Sequence, residues 1–133
     1  MDHQRRESPF LARLEEEWIY SNPLAFAIRD AFPVSPGHAL VVTRRQVSGW
    51  FDATREEQVA ILDLIDQIKG DLDRTHQPDG YNVGFNVGMA AGQTVMHLHV
   101  HVIPRYLGDM EDPRGGIRHA VQGKGYYDPS RTE

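Results

Sequence analysis

From Gly92 to Pro104 the chain reads Gly-Gln-Thr-Val-Met-His97-Leu-His99-Val-His101-Val-Ile-Pro, three histidines at two-residue spacing with apolar residues between and after them. Side chains on a β-strand alternate faces, so this spacing sets His97, His99 and His101 on one side and Leu98, Val100 and Val102 on the other. A helix would scatter the three around its surface, and the β-branched residues Val100, Val102 and Ile103 favour extended backbone. The segment therefore predicts a strand over residues 95–103, closed by Pro104. One face is a row of imidazoles and the other is core.

Neighbouring imidazoles on such a face lie roughly 7 Å apart along the chain, and protonating one makes protonating the next harder. The row is expected to be mostly neutral at pH 7. Neutral imidazole serves as a metal ligand, a nucleophile, or a hydrogen-bonding partner for an anion. A metal site would need completion by a carboxylate or another histidine, and Asp109, Glu111 and Asp112 are the candidates that follow. What precedes the row favours an anion instead, because Asn86, Gly88, Gly92, Gln93 and Thr94 form a small-residue loop rich in amide, hydroxyl and backbone donors.

The rest of the chain predicts an α+β fold. Residues 9–17 read as a short helix, residues 18–20 and 24–28 as a hairpin around Ser21-Asn22-Pro23, and residues 39–43 as a third strand. Thr54-Arg-Glu-Glu57 is a capping-box sequence that opens a long helix, with Val59, Ile61, Leu62, Leu64, Ile65, Ile68 and Leu72 recurring at three and four. That stripe is core or dimer surface. Residues 81–87 give a fourth strand. With only one long helix between strands, a meandering antiparallel sheet of five strands with one long and one short helix fits better than repeated βαβ units.

At 133 residues the chain supports a single domain, 1–133, with a core over about residues 8–107 and a tail over 108–133. A net charge of −5 disfavours non-specific nucleic-acid binding. The absence of cysteine excludes disulfides and any thiolate zinc clip. No apolar leader is expected among Asp2, Arg5, Arg6 and Glu7, and no run approaches the length of a membrane span, so no membrane partner and a cytoplasmic location are the expectations.

The pattern His97-Leu-His99-Val-His101-Val-Ile103 resembles the signature of the histidine triad (HIT) superfamily of nucleotide hydrolases and transferases. The resemblance extends to Phe26-Ala-Ile-Arg-Asp30-Ala-Phe-Pro-Val-Ser-Pro-Gly-His38-Ala-Leu-Val-Val and to Ala91-Gly-Gln-Thr94. It implies a HIT-like fold, dimeric, and assigns roles. His99 would be the nucleophile that attacks an α-phosphate. His101, Gln93 and Thr94 would contact the α-phosphate and leaving group, while His97 and His38 would orient the row. Asp30 would bind ribose, Asn86 would lie on the phosphate side, and Gly92 belongs to the phosphate loop. No protein-held metal or tightly bound cofactor is implied; Mg²⁺ would arrive with the substrate's phosphates.

Gln93-Thr94-Met96 and Pro104-Arg105 are closer to the branch that acts on dinucleoside polyphosphates than to the phosphoramidase branch, which usually has Ser at the position of Thr94. The implied activity is hydrolysis of a diadenosine tetraphosphate-like substrate through a nucleotidyl-histidine, releasing a nucleoside monophosphate. Adenosine phosphoramidate hydrolysis, phosphorolysis and a non-catalytic nucleotide-binding role are the alternatives. Bacterial relatives often carry a Cys-Pro-Phe-Cys zinc segment where this chain has Ser8-Pro9-Phe10-Leu11, so here the N-terminal segment is expected to dock through Phe10, Leu11, Leu14 and Trp18. In the tail, Arg114, Arg118 and Lys124 are candidates to reach distal phosphates and Tyr126 or Tyr127 to stack on a base.

Overall fold

The computed structural model describes residues 8–130; the charged N-terminal residues Asp2, Arg5, Arg6 and Glu7 lie outside them. Five strands form one antiparallel sheet in the order β1 (Tyr20–Ser21), β2 (Ala25–Arg29), β3 (Ala39–Thr43), β5 (His99–Arg105), β4 (Gly80–Gly84). The β1–β2 hairpin turns on Asn22, whose side-chain oxygen accepts the N–H groups of Leu24 and Ala25 at 3.1 and 2.9 Å.

The single α-helix among the described residues, α1 (Arg55–Thr75), begins where the capping box predicts. The Thr54 hydroxyl accepts the Glu57 N–H at 3.1 Å, and the Glu57 carboxylate accepts the Thr54 N–H at 2.9 Å. Arg45 closes on the same buried carboxylate at 2.7 Å, and this hydrogen bond holds Glu57 below the usual carboxylate range. Ile61, Leu64, Ile68 and Leu72 are fully buried, whereas Val59 and Leu62 of the expected stripe face outward.

The helix covers one face of the sheet. Beneath it β2 and β3 present Ala25, Ala27, Ala39 and Val41, with Leu98, Val100 and Val102 alongside. Small residues here let the helix approach the strands. The larger Phe26, Ile28, Leu40 and Val42 point to the other face, where Phe10 and Trp18 pack on them. Trp18 stacks on Phe26 with ring centroids 4.4 Å apart. Docking of the N-terminal segment therefore rests on Phe10 and Trp18; Leu11 and Leu14 are exposed.

Several boundaries differ from expectation, those of the hairpin strands by one or two residues. Residues 9–17 form turns and a single 3₁₀ turn, Glu15–Glu17, rather than a helix, because Ser8 and Phe10 are drawn onto the sheet by tertiary contacts. Strand β4 stops at Gly84, and the chain leaves so that Phe85 stacks on Trp50 at 4.9 Å. Pro104 lies inside β5 rather than ending it: pairing with β3 ends at Val102, while pairing with β4 continues to Arg105. The proline thus sits where β3 no longer needs its missing N–H, and the Ser35 hydroxyl donates to its carbonyl at 2.6 Å.

Candidate active site

On the face of the sheet opposite the helix, β5 holds His99 beside Val42 and His101 beside Leu40 of β3. The two rings stand 5.2 Å apart, closer than the strand repeat. His97 is not part of the strand. Residues 95–97 bend, the Leu98 N–H is taken by the Val47 carbonyl at 2.7 Å, and the His97 ring is fully buried.

Hydrogen bonds set the tautomer of every ring. His97 Nε2 lies 2.7 Å from the Thr43 carbonyl, which can only accept, so Nε2 carries a proton and Nδ1 accepts from the Ser8 hydroxyl at 2.6 Å. Burial lowers the His97 pKa, as does the nearby His99, against the raising effect of the Thr43 carbonyl. The ring is neutral, and the His97 carbonyl is left to hold His99 Nδ1 at 2.7 Å. That contact places a proton on His99 Nδ1 and leaves Nε2 with a bare lone pair.

The second chain of bonds starts at a backbone amide. The Val34 N–H donates to His38 Nδ1 at 3.1 Å, so the neutral His38 ring carries its proton on Nε2. Nε2 stands 2.9 Å from His101 Nδ1 and 3.3 Å from the Asp30 carboxylate. His101 thus accepts at Nδ1 and keeps its proton on Nε2. Burial, with His99 and His38 adding to it and Asp30 opposing, pushes the His101 pKa down to about 4. Burial likewise lowers that of His38, again against Asp30. The row consequently offers one bare ring nitrogen, on His99, and one N–H donor, on His101, at adjacent positions.

These rings open into a cleft of 580 Å³, a volume suited to a small-molecule ligand. Asn86, Gly92, Gln93 and Thr94 line it with Asp30, His38, His99 and His101, so the structure gathers every predicted site residue around it except His97, which lies behind His99. Two of them are already engaged by hydrogen bonds within the protein. Both Gln93 amide N–H groups are committed, to the carbonyls of Ser48 at 2.6 Å and Val95 at 3.0 Å, and its oxygen accepts the Gly88 N–H at 2.9 Å. In this arrangement Gln93 clamps the loop. Asp30 spends one oxygen on the Phe32 N–H at 2.8 Å and turns the other toward His38 and His101. Gly92, at a φ of 93°, provides the left-handed turn out of the 3₁₀ turn Met89–Ala91.

Asp30, His38 and His101 bring three metal-ligand atoms within 4.8 Å of one another. Metal on His38 Nε2 would require that nitrogen to shed its proton, placing one on Nδ1 against the Val34 N–H. Two donors would then face each other, so the hydrogen-bonded arrangement competes with metal at this point. Of the acidic residues that could have completed a metal site on the row, Asp109 pairs with Arg105 at 2.8 Å, Asp112 with Arg114 at 2.8 Å, and none of Asp109, Glu111 and Asp112 lines the cleft.

The tail residues Arg114, Arg118, Lys124, Tyr126 and Tyr127 do not line the cleft either. Arg118 lies over the Tyr127 ring at 4.4 Å, and Tyr126 donates to the Asp112 carbonyl at 2.7 Å. Residues that sequence reasoning passed over are Ser8, whose hydroxyl fixes His97, and Arg13, which lines the cleft. Ser8 stands two residues before Phe10, which docks on the sheet, and that nearness was the available signal. Among the described residues, no helix is long and apolar enough to cross a membrane.

The HIT domain model matches residues 12–108. An AP-4-A phosphorylase from Mycobacterium tuberculosis is 36% identical over 104 residues, 77% of this chain and 53% of its own length. A bis(5'-adenosyl)-triphosphatase from Dictyostelium discoideum is 36% identical over 78% of this chain and 69% of its own. The chain spans about half the length of the mycobacterial relative. Among solved structures, a HIT family protein from Bacillus anthracis superposes with a TM-score of 0.67 at 27% identity, covering 87% of this chain and 72% of that one.

Proposed function

Since the chain belongs to the HIT family, we propose that it is an enzyme that cleaves dinucleoside polyphosphates at an α-phosphate through a nucleotidyl-histidine. The observation that carries this is the opposed proton placement on adjacent rings: His99 Nδ1–H tied to the His97 carbonyl, and His101 Nδ1 occupied by His38. His99 Nε2 attacks the α-phosphorus, forming a P–N bond as the P–O bond to the departing polyphosphate breaks. The positive charge that develops on the His99 ring is stabilised by the His97 carbonyl. His101 Nε2–H donates a hydrogen bond to the oxygens on which negative charge collects, the largest usual contribution in such catalysis. A polyphosphate leaves as its anion, so no proton need be transferred to it. Water then attacks the phosphorus, the P–N electrons return to Nε2, one proton passes to solvent and a nucleoside monophosphate is released.

Thr94 and Asn86 are assigned to phosphate contacts, Asp30 to the ribose hydroxyls, and Mg²⁺ to the substrate's phosphates. A second reading, in which inorganic phosphate rather than water resolves the intermediate, is favoured by the name of the mycobacterial relative. We assign the protein to a homodimer, supported by the unpaired edge of β4 in the strand order and by exposed Val83 and Val87 beside it; light scattering giving a monomer mass would refute that.

The test is incubation with diadenosine tetraphosphate and Mg²⁺, with and without inorganic phosphate, beside His99→Ala. AMP plus ATP identifies hydrolysis, ADP plus ATP identifies phosphorolysis, and either must vanish in the variant. Turnover confined to adenosine phosphoramidate would move the substrate assignment, and nucleotide binding without any turnover would replace the enzyme by a binding protein.

A further inference from the structure

Among the described residues lining the cleft, Arg13 is the only lysine or arginine, and the chemistry of the triad leaves it without a task. The lining divides by chain segment. Donors suited to phosphate, Asn86, Gly92 and Thr94, come from the loop that leads into the histidines, whereas Pro9, Phe10, Ala31, Phe32 and Val34 supply an apolar lining from the N-terminal segment and the β2–β3 loop. Arg13 belongs to the apolar part, one turn beyond Phe10, whose carbonyl accepts its N–H at 3.2 Å.

Its side chain is held rather than free. Nε donates to Glu17 at 2.6 Å, and the other Glu17 oxygen accepts the Leu14 N–H at 3.1 Å, which ties the pair to the local turn. The carboxylate offsets the charge, weakening Arg13 as a general attractor of phosphate. Four of the five guanidinium donors sit on the two Nη atoms, in a planar fork. Flat apolar walls suit a nucleobase, and a fork of donors at their border matches a base edge with two adjacent acceptors. Guanine offers O6 and N7 in that arrangement; adenine sets its N6 amino donor beside N7.

We infer that Arg13 reads the base of the bound nucleotide and selects guanine over adenine. The inference rests on the nucleotide reading above and goes further by assigning base choice to one side chain. It is tested with Arg13→Leu and Arg13→Lys, measuring kcat/KM for diguanosine and diadenosine tetraphosphate and, separately, the affinities of GMP and AMP by calorimetry. The native protein is expected to favour guanine on the order of tenfold. Both variants should bring the ratio close to one, lysine included, because it keeps the charge and loses the fork.

A guanine-to-adenine ratio unchanged by Arg13→Leu would overturn the inference, as would equal losses on both substrates that lysine rescues, which would make Arg13 a phosphate ligand. The two readouts separate this from the proposed activity. GMP selectivity lost in the variants without turnover of either substrate upholds base reading and removes the hydrolase. Turnover with no base preference in the native protein does the reverse, and failure of both nucleotides to bind removes both.

Discussion

His38 Nε2 stands 2.9 Å from His101 Nδ1, and the Val34 amide occupies the far nitrogen of His38 at 3.1 Å. A backbone N–H thereby decides, two rings away, which nitrogen of His101 carries its proton. Replacing His38 with Ala frees His101 to adopt the other tautomer, so kcat should fall by about two orders of magnitude, the low end of the usual range for a positioned proton-bearing group, while nucleotide affinity changes little. His38→Gln, which can place an amide N–H near the same nitrogen, should recover part of the loss. Equal kcat in the two variants, read by steady-state kinetics, would refute the tautomer role.

Gln93 is committed to its own loop through three hydrogen bonds. Gln93→Ala should loosen residues 88–92, accelerating their amide exchange, and should raise KM more than it lowers kcat. It also leaves the part-buried carbonyls of Ser48 and Val95 short of a donor, at a cost of about 0.5–1.5 kcal/mol in urea unfolding. Unaltered exchange with a large drop in kcat alone would instead make Gln93 a ligand of the reacting phosphate.

Ser8 is 2% exposed and gives its hydroxyl to the fully buried His97. Ser8→Ala strands His97 Nδ1 without a donor and should lower stability by about 1–3 kcal/mol. Because the His97 carbonyl holds His99, a smaller decline in kcat should accompany it. Thermal unfolding and a single activity assay check both.

Acid should unfold the protein through its histidines. The pKa values of His38, His97 and His101 all lie below the ordinary histidine value, that of His101 at about 4, with burial the leading cause in each. The unfolded chain therefore binds more protons than the folded one once the pH drops below about 6.5. Stability is complete above that pH and is lost as the pH falls toward 4, with His101 contributing up to about 3 kcal/mol of the loss. Urea midpoints at pH 7.5 and pH 4.5 measure it, and His101→Asn should flatten the slope.

Local signals were legible wherever the partner residues were close in sequence. The capping box of Thr54 and Glu57 located the start of α1, and β3 occupies the residues its apolar run predicts. The alternation of β5 was read correctly from Leu98 onward. His97 was not, because the bend at residues 95–97 is made by contacts with Ser8 and Thr43, which lie 89 and 54 positions away. Distance in sequence likewise hid the true state of residues 9–17, where packing of Phe10 on His97 overrides helical preference. Gathering Asp30, His38 and the loop from Asn86 to Thr94 around one opening was expected from the family pattern. That Gln93 would spend its amide on the loop was not, since nothing in a side chain's identity tells which carbonyls will lie beside it.

Strand β5 alternates two tasks at single-residue intervals: Val100 and Val102 are sealed under the helix while His99 and His101 face the cleft. A slip of one residue against β3 would bury the imidazoles and expose the valines together. Drift in the spacing of the reactive rings is thus punished as misfolding before it can be tested as altered chemistry. For anyone reshaping this site, the even-numbered positions are the ruler, to be left alone, and the odd-numbered ones are the surface on which new reactivity can be written.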